Sequence, residues 1–198
     1  MKLLLALLLS LGVAQLAGCD RGAPAPGFKL TDVTGADFRA DLALTDHNGK
    51  PRTLADFRGK VVTVFFGFTH CPDACPTTMV EMAGVMKELG PQAGEVQVLF
   101  VTVDPERDTQ KVLSQYVPSF HPSFLGLYGD AEATARAAKA FKIYYQKRPA
   151  EGAGYSVDHS AGTFVLDRDG RVRLFAQYGL GAQAYLHDIR LLLQQPRQ

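Results

Sequence analysis

An apolar run rich in β-branched and aromatic residues, Val61–Phe66, leads through Gly67-Phe68-Thr69-His70 into Cys71-Pro72-Asp73-Ala74-Cys75-Pro76. A continuous apolar run of this length reads as a strand buried on both faces. Apolar residues then recur at Met79, Met82, Val85, Met86 and Leu89, which form one face of a helix over residues 77–89. The strand therefore hands two cysteines to the start of a helix. The unpaired N–H groups and the positive end of the helix dipole there favour thiolate, the form of cysteine that attacks disulfides and binds metals. Pro76 suits the first helical turn, where its missing N–H has no partner to lose.

The chain around this stretch alternates in the same way. Asp41–Thr45 reads as a strand and Asp46-His47-Asn48-Gly49 as a turn, so a β-hairpin precedes the core. Thr53–Phe57 reads as a short helical turn. Val96–Val103 is a second buried strand, Asp108–Val117 a helix with Asp108 as its N-cap, Phe124–Tyr128 a short strand and Ala131–Phe141 an Ala-rich helix. Residues 28–40 read as an irregular lead-in and 142–154 as a loop. Thr163–Asp167 and Arg171–Gln177 flank the turn Arg168-Asp169-Gly170 as a hairpin near the C-terminal end, before the amphipathic helix Ala182–Gln195. This order predicts an α/β domain whose mixed sheet is flanked by helices on both faces. A length of 198 residues suits one such domain with a real core. With 21 basic and 20 acidic residues the net charge is +1, which lacks the basic footprint of nucleic-acid binding.

Met1-Lys2 gives a positive start, and Leu3–Val13 is an apolar stretch of signal-peptide length, short for a membrane span. It ends in Leu16-Ala17-Gly18-Cys19, similar to a bacterial lipobox, where cleavage precedes the cysteine and lipid is attached to it. The expected organisation is a signal peptide over 1–18, a lipidated Cys19 with a Pro- and Gly-rich tether over 19–27, and the folded domain over 28–198. The expected location is the bacterial cell envelope, as a membrane-anchored lipoprotein facing the periplasm or the outside. Asp20 directs it to the inner membrane where an outer membrane exists. With Cys19 so used, three cysteines leave Cys71 and Cys75 as one pair.

Cysteines four apart share one helical face, or come within disulfide range across a loop-to-helix transition. Two thiolates do not complete a usual metal site. Soft sulfur favours Cu(I), and an added imidazole also suits Cu(II) or Zn. Of the five histidines, His47 sits in a turn, His121 in a loop and His187 in the last helix, positions that read as surface or packing. His159 lies just before the strand Thr163–Leu166, and loops at one edge of an α/β sheet converge, which lets it face the cysteines. His70 adjoins Cys71 and stays an alternative, although sequence neighbours usually point apart. Asp73 reads as a helix N-terminal charge, as a tuning group for the thiolates or as a weak ligand. Asp158 reads as a turn former or as a group that orients His159. Asp104 and Arg107 read as a brace for the loop after the second strand.

Gly67-Phe68-Thr69-His70-Cys71-Pro72-Asp73-Ala74-Cys75-Pro76 resembles the hallmark of the SCO/SenC family. Val103-Asp104-Pro105-Glu106-Arg107-Asp108-Thr109 resembles that family's second block, and Asp158-His159-Ser160 with Thr163-Phe164-Val165-Leu166-Asp167 its third. The resemblance implies a thioredoxin-like fold with a β-hairpin insertion before the C-terminal part. It implies copper held by Cys71, Cys75 and His159, with Cys71 and Cys75 also a redox pair that forms a disulfide when oxidised. The implied task is that of a membrane-tethered copper metallochaperone rather than a classical enzyme. It delivers copper to the dinuclear copper centre of cytochrome c oxidase. The implied partners are the oxidase's copper-bearing subunit, a thiol reductant and another copper carrier. Two rivals stay open: a thiol–disulfide reductase that keeps the oxidase's copper-site cysteines reduced, and a redox or copper sensor. The extra residue between the cysteines departs from the thioredoxin C-x-x-C frame and favours a site open to metal.

Overall fold

The computed structural model describes residues 27–38, 40–150 and 154–196; the leader, Cys19 and the tether up to residue 26 lie outside the described residues. Ten strands and four α-helices follow in order among these residues: β1 Thr31–Asp32, β2 Ala43–Asp46, β3 Pro51–Thr53, β4 Val61–Gly67, α1 Ala74–Leu89, β5 Val96–Thr102, α2 Gln110–Tyr116, β6 Leu125–Tyr128, α3 Ala131–Ala140, β7 Tyr145–Pro149, β8 Tyr155–His159, β9 Gly162–Leu166, β10 Val172–Gln177 and α4 Ala182–Gln194. Eight strands form one sheet in the order β1-β10-β9-β4-β5-β6-β2-β3, while β7 and β8 pair only with each other. β4, β5 and β6 run parallel, and β9 joins β4 antiparallel. This is the mixed sheet expected from the alternation of elements, in the thioredoxin-like form that the family resemblance implies.

Every residue of β4 and β5 is buried, as strands covered on both faces must be. On one face Phe65 and Phe100 lie opposite each other, their rings 5.9 Å apart, beneath the first turn of α1. On the other, Phe66 meets Phe141 at 5.4 Å, Phe141 meets Phe164 at 5.3 Å and Phe164 meets Phe38 at 5.4 Å. Alternate residues of one apolar strand thus serve two cores, and the strand's end is held from both sides.

Four local expectations change. Tyr145–Pro149 and Tyr155–His159 pair as antiparallel strands, where residues 142–154 read as a loop. Gln146 to Pro149 are exposed on both sides of β7, so that strand carries no apolar alternation to read. Thr31 and Asp32, in the supposed lead-in, pair with β10. The N-cap of α2 is Thr109, whose hydroxyl accepts from the Val112 N–H at 3.3 Å. Asp108 is buried and accepts instead from the Thr69 N–H at 3.0 Å, the Thr69 hydroxyl at 2.6 Å and the Thr102 hydroxyl at 2.6 Å. Long-range donors outcompeted the local cap. Finally, α1 begins at Ala74, so Cys75 lies in its first turn and Cys71 precedes it.

The N-terminal hairpin is closed by Asp46, which is fully buried. It accepts from the Asn48 N–H at 2.9 Å, the Lys50 N–H at 3.0 Å and Arg52 Nε at 2.8 Å. Burial alone would raise its pKa, but the Lys50 N–H, the Arg52 guanidinium and the Asn48 N–H outweigh it and hold the carboxyl below its usual range. A depressed folded pKa adds stability above the unfolded value near 3.9, and that stability is lost as pH falls through the folded pKa. Asp46→Asn is expected to cost about 1–3 kcal/mol at neutral pH. It should also shrink the loss of stability below pH ~4. Urea unfolding of both proteins across that range checks this.

Candidate metal centre

The end of β4 places the cysteines. Thr69 is tied to Asp108, and the Cys71 N–H donates to the Phe68 carbonyl at 3.2 Å, which turns the chain toward α1. The Cys75 N–H then donates to Cys71 Sγ at 3.4 Å. Both thiols are free; Cys71 is half-buried, whereas Cys75 is 0% exposed. Gly67 is part of the cradle: a Cβ there would stand 2.9 Å from Cys75 Sγ, 2.8 Å from the Phe65 ring and 3.1 Å from the Phe100 ring.

The third residue arrives from β8. Along this strand Tyr155, Val157 and His159 share the face turned to the domain, by the two-residue period of a strand. Ser156 and Asp158 take the other face. His159 Nε2 lies 4.0 Å from Cys75 Sγ, across 84 residues of sequence. His159 Nδ1 sits 3.1 Å from the Ser160 carbonyl, which can only accept, so Nδ1 carries the proton and Nε2 presents its lone pair to the sulfur. The Phe68 ring meets the imidazole edge-on at 5.8 Å. Burial lowers the His159 pKa against the opposing pull of the Ser160 hydrogen bond and of Asp158. The neutral ring that results is the form that ligates metals.

Burial also decides the state of Cys75. It pushes the thiol up, with the neighbouring Cys71 sulfur adding to the effect. This reverses the expectation that the helix N-terminus would lower it: a dipole worth about 1 kcal/mol is outweighed by removal from water. A metal that binds Cys75 must therefore displace a proton. With bonds of about 2.3 Å to sulfur and 2.0 Å to nitrogen, two ligands of one ion lie roughly 3.5 Å apart at a tetrahedral angle and about 4.3 Å apart when opposed. The 4.0 Å between Cys75 and His159 falls between these limits. Among the described residues no three His, Cys, Asp or Glu side chains are already grouped at metal-binding spacing, so Cys71 must turn toward an ion to join the other two.

The remaining candidates separate cleanly. His70 is exposed and its Nδ1 engages the Thr69 hydroxyl at 3.1 Å. His47 Nδ1 accepts from the Gly126 N–H at 3.0 Å, a packing role. Asp73 is the exposed N-cap of α1 and accepts from the Thr77 hydroxyl at 3.3 Å. Asp158 faces away from the site and pairs with Arg148 at 3.0 Å, so it does not hydrogen-bond His159. Sequence reasoning missed Tyr155, whose hydroxyl reaches Asp104 at 2.7 Å. The alternation of Tyr155, Val157 and His159 was the available signal.

The model of the SCO1/SenC family matches residues 31–194. The chain belongs to this family. The cattle protein "Protein SCO2 homolog, mitochondrial" is 45% identical over 143 residues, 71% of this chain and 53% of that protein; the chain thus spans about half the length of the curated relatives it matches. The solution structure of apo Sco1 from Thermus thermophilus aligns at 40% identity with a TM-score of 0.76, covering 86% of this chain and 100% of that one. A copper-bound structure of ScoI from Bradyrhizobium japonicum aligns at 37% identity with a TM-score of 0.72, covering 77% of this chain and 98% of that one. A structure described as BsSco, a member of the Sco family of cytochrome c oxidase assembly proteins, shares the fold at 23% identity and a TM-score of 0.64, covering 80% and 95%. One expectation is overturned. The matched SCO2 homologs of cattle, mouse and human are mitochondrial, which points away from the bacterial cell envelope, and that location is withdrawn. A positive start and a short apolar run describe hydrophobicity, and do not name the membrane they meet.

Two outcomes follow from the site. Cys71 is expected to react with iodoacetamide at least about tenfold faster than Cys75, because Cys71 is the more accessible and burial holds Cys75 in the unreactive thiol form; peptide mass spectrometry over time reads this. Gly67→Ala is expected to lower stability by about 1–3 kcal/mol through overpacking against Cys75 and the two phenylalanines, read by denaturant unfolding.

Proposed function

We propose that this domain is a copper metallochaperone that binds copper through Cys71, Cys75 and His159 and supplies it for assembly of the dinuclear copper centre of cytochrome c oxidase. The observation that carries the reading is the 4.0 Å approach of Cys75 Sγ to a lone-pair-bearing His159 Nε2, beside a second free cysteine. Family membership and the copper-bound relative support the choice of metal. Two thiolates and one imidazole accept Cu(I), and also Cu(II) with a further ligand. Copper leaves by ligand exchange with an acceptor that offers its own thiolates and imidazoles, here the oxidase's copper-bearing subunit. Oxidation of the two thiols to a Cys71–Cys75 disulfide gives two electrons to an oxidant, releases two protons and removes two ligands. A thiol reductant then restores the site, and another copper carrier loads it. In this reading Cys19 carries a lipid that tethers the domain to a membrane over residues 19–27.

A thiol–disulfide reductase acting on the acceptor's cysteines is the second reading. The half-buried Cys71 sulfur with a helix N–H aimed at it, above a buried Cys75, has the asymmetry of an attacking and a resolving thiol.

The deciding experiment is anaerobic titration of the reduced domain with Cu(II), for wild type and His159→Ala, followed by absorption and EPR. One tight equivalent is expected, with a sulfur-to-copper charge-transfer band that the variant loses or shifts. If the thiols are oxidised without a stable complex in either protein, and Cu(I) binds no better to one than to the other, the three-residue site is wrong and the reductase reading takes its place.

A further inference from the structure

β7 and β8 pair with each other and not with the main sheet, which the chain re-enters at Gly162, three residues after His159. The hairpin is held instead by side chains of the loop that follows β5. Asp104 is fully buried. One of its oxygens accepts from the Tyr155 hydroxyl at 2.7 Å and the other from Arg107 Nε. Arg107 Nη1 donates to the Tyr155 carbonyl at 2.8 Å, and its guanidinium carbon stands 3.8 Å from the Tyr155 ring centre. Tyr155 is therefore gripped at hydroxyl, ring and carbonyl at once. The same guanidinium lies 5.9 Å from the Phe68 ring, whose plane the His159 imidazole meets edge-on. Outside this grip, Glu106 pairs with Lys147 on β7. Within the loop, the Arg107 and Asp108 N–H groups both donate to the Asp104 carbonyl, so the three residues move as one turn.

Tyr155 and His159 are on the same face of one short strand, four residues apart. A shift of Tyr155 is thus passed directly to the imidazole. Asp108, in the same turn, secures Thr69 just before Cys71. One turn therefore holds the loop that bears the cysteines and the hairpin that bears the histidine.

We propose that Asp104, Arg107 and Tyr155 are positioning residues that set the reach of His159 to a copper ion, separately from the two sulfurs. This rests on the copper-site reading above. The test compares Tyr155→Phe, which deletes a single hydroxyl, and Arg107→Lys, which keeps the charge but loses the fork, each alone and combined with His159→Ala. Each reduced domain is loaded with Cu(II), and absorption, EPR nitrogen couplings and the rate of copper loss to a chelator are recorded. Each single variant is expected to lose copper about tenfold faster than wild type, the usual scale for groups that orient a metal ligand. Its spectrum should move toward that of His159→Ala while the sulfur band persists. In the His159→Ala background neither substitution should add anything.

Wild-type spectra and rates in both single variants would overturn the proposal. So would an effect that persists undiminished in the His159→Ala background, because that is a general destabilisation. Should Arg107→Lys fail to fold, Tyr155→Phe decides alone. A wild-type complex indifferent to His159→Ala would overturn the copper-site reading itself, an outcome distinct from the other two.

Discussion

The buried Asp104 carboxylate, with Arg107 and Tyr155 gathered on it, is the contact that docks the strand bearing His159 onto the loop after β5. Remove it in thought and the main sheet is unchanged, since β4, β5 and β9 pair without help from the hairpin. Cys71 and Cys75 would still meet at the start of α1. His159, however, would be held only by its own contacts with Phe68 and Cys75, by Val157 packing, by the Glu106–Lys147 pair and by the chain that enters β9 three residues on. Isolated hairpins are marginal in water, so an ordered imidazole at this place depends on docking.

Burial sets the chemistry of what the docking assembles. Cys75 is beneath α1 and against Phe65 and Phe100, where removal from water favours the thiol over the thiolate. The same effect keeps His159 neutral. Both groups therefore wait in uncharged form, with the Nε2 lone pair turned to the sulfur. An entering cation supplies the positive charge that a buried thiolate lacks, which links metal binding to proton release. Cys71 stays nearer to solvent than Cys75.

Much of this was legible in the sequence, and for identifiable reasons. Val61–Phe66 could be placed because a strand buried on both faces is apolar throughout. The hairpin at Asp46 and Gly49 and the one at Asp169-Gly170 could be placed because their turn residues are specific. The residues alone paired Cys71 with Cys75 and left His159 and His70 as alternatives, and the family resemblance named His159; the structure brings Cys75 and His159 together while leaving Cys71 facing the Cys75 backbone. The β7–β8 hairpin, an insertion that the family resemblance implied, could not be placed from the residues because β7 is polar on both sides. Asp108 was misread as a cap because its local chemistry is that of a cap, and only distant Thr69 and Thr102 make it a brace. Asp158 was read as a turn former or as a group that orients His159; it lies instead within β8, where adjacent residues point to opposite faces.

The sequence by itself determined the alternation of strands and helices, the delivery of two cysteines to a helix start and the residue types able to hold a soft metal. Those properties follow from local periodicity and side-chain chemistry, which are written along the chain. The tertiary structure alone decided which histidine meets the cysteines, which way its tautomer points and that burial overrides the helix dipole at Cys75. Each of these depends on distance through space and on exclusion of water. Such quantities arise only when residues distant in sequence meet, as Tyr155 and Asp104 do across 51 residues.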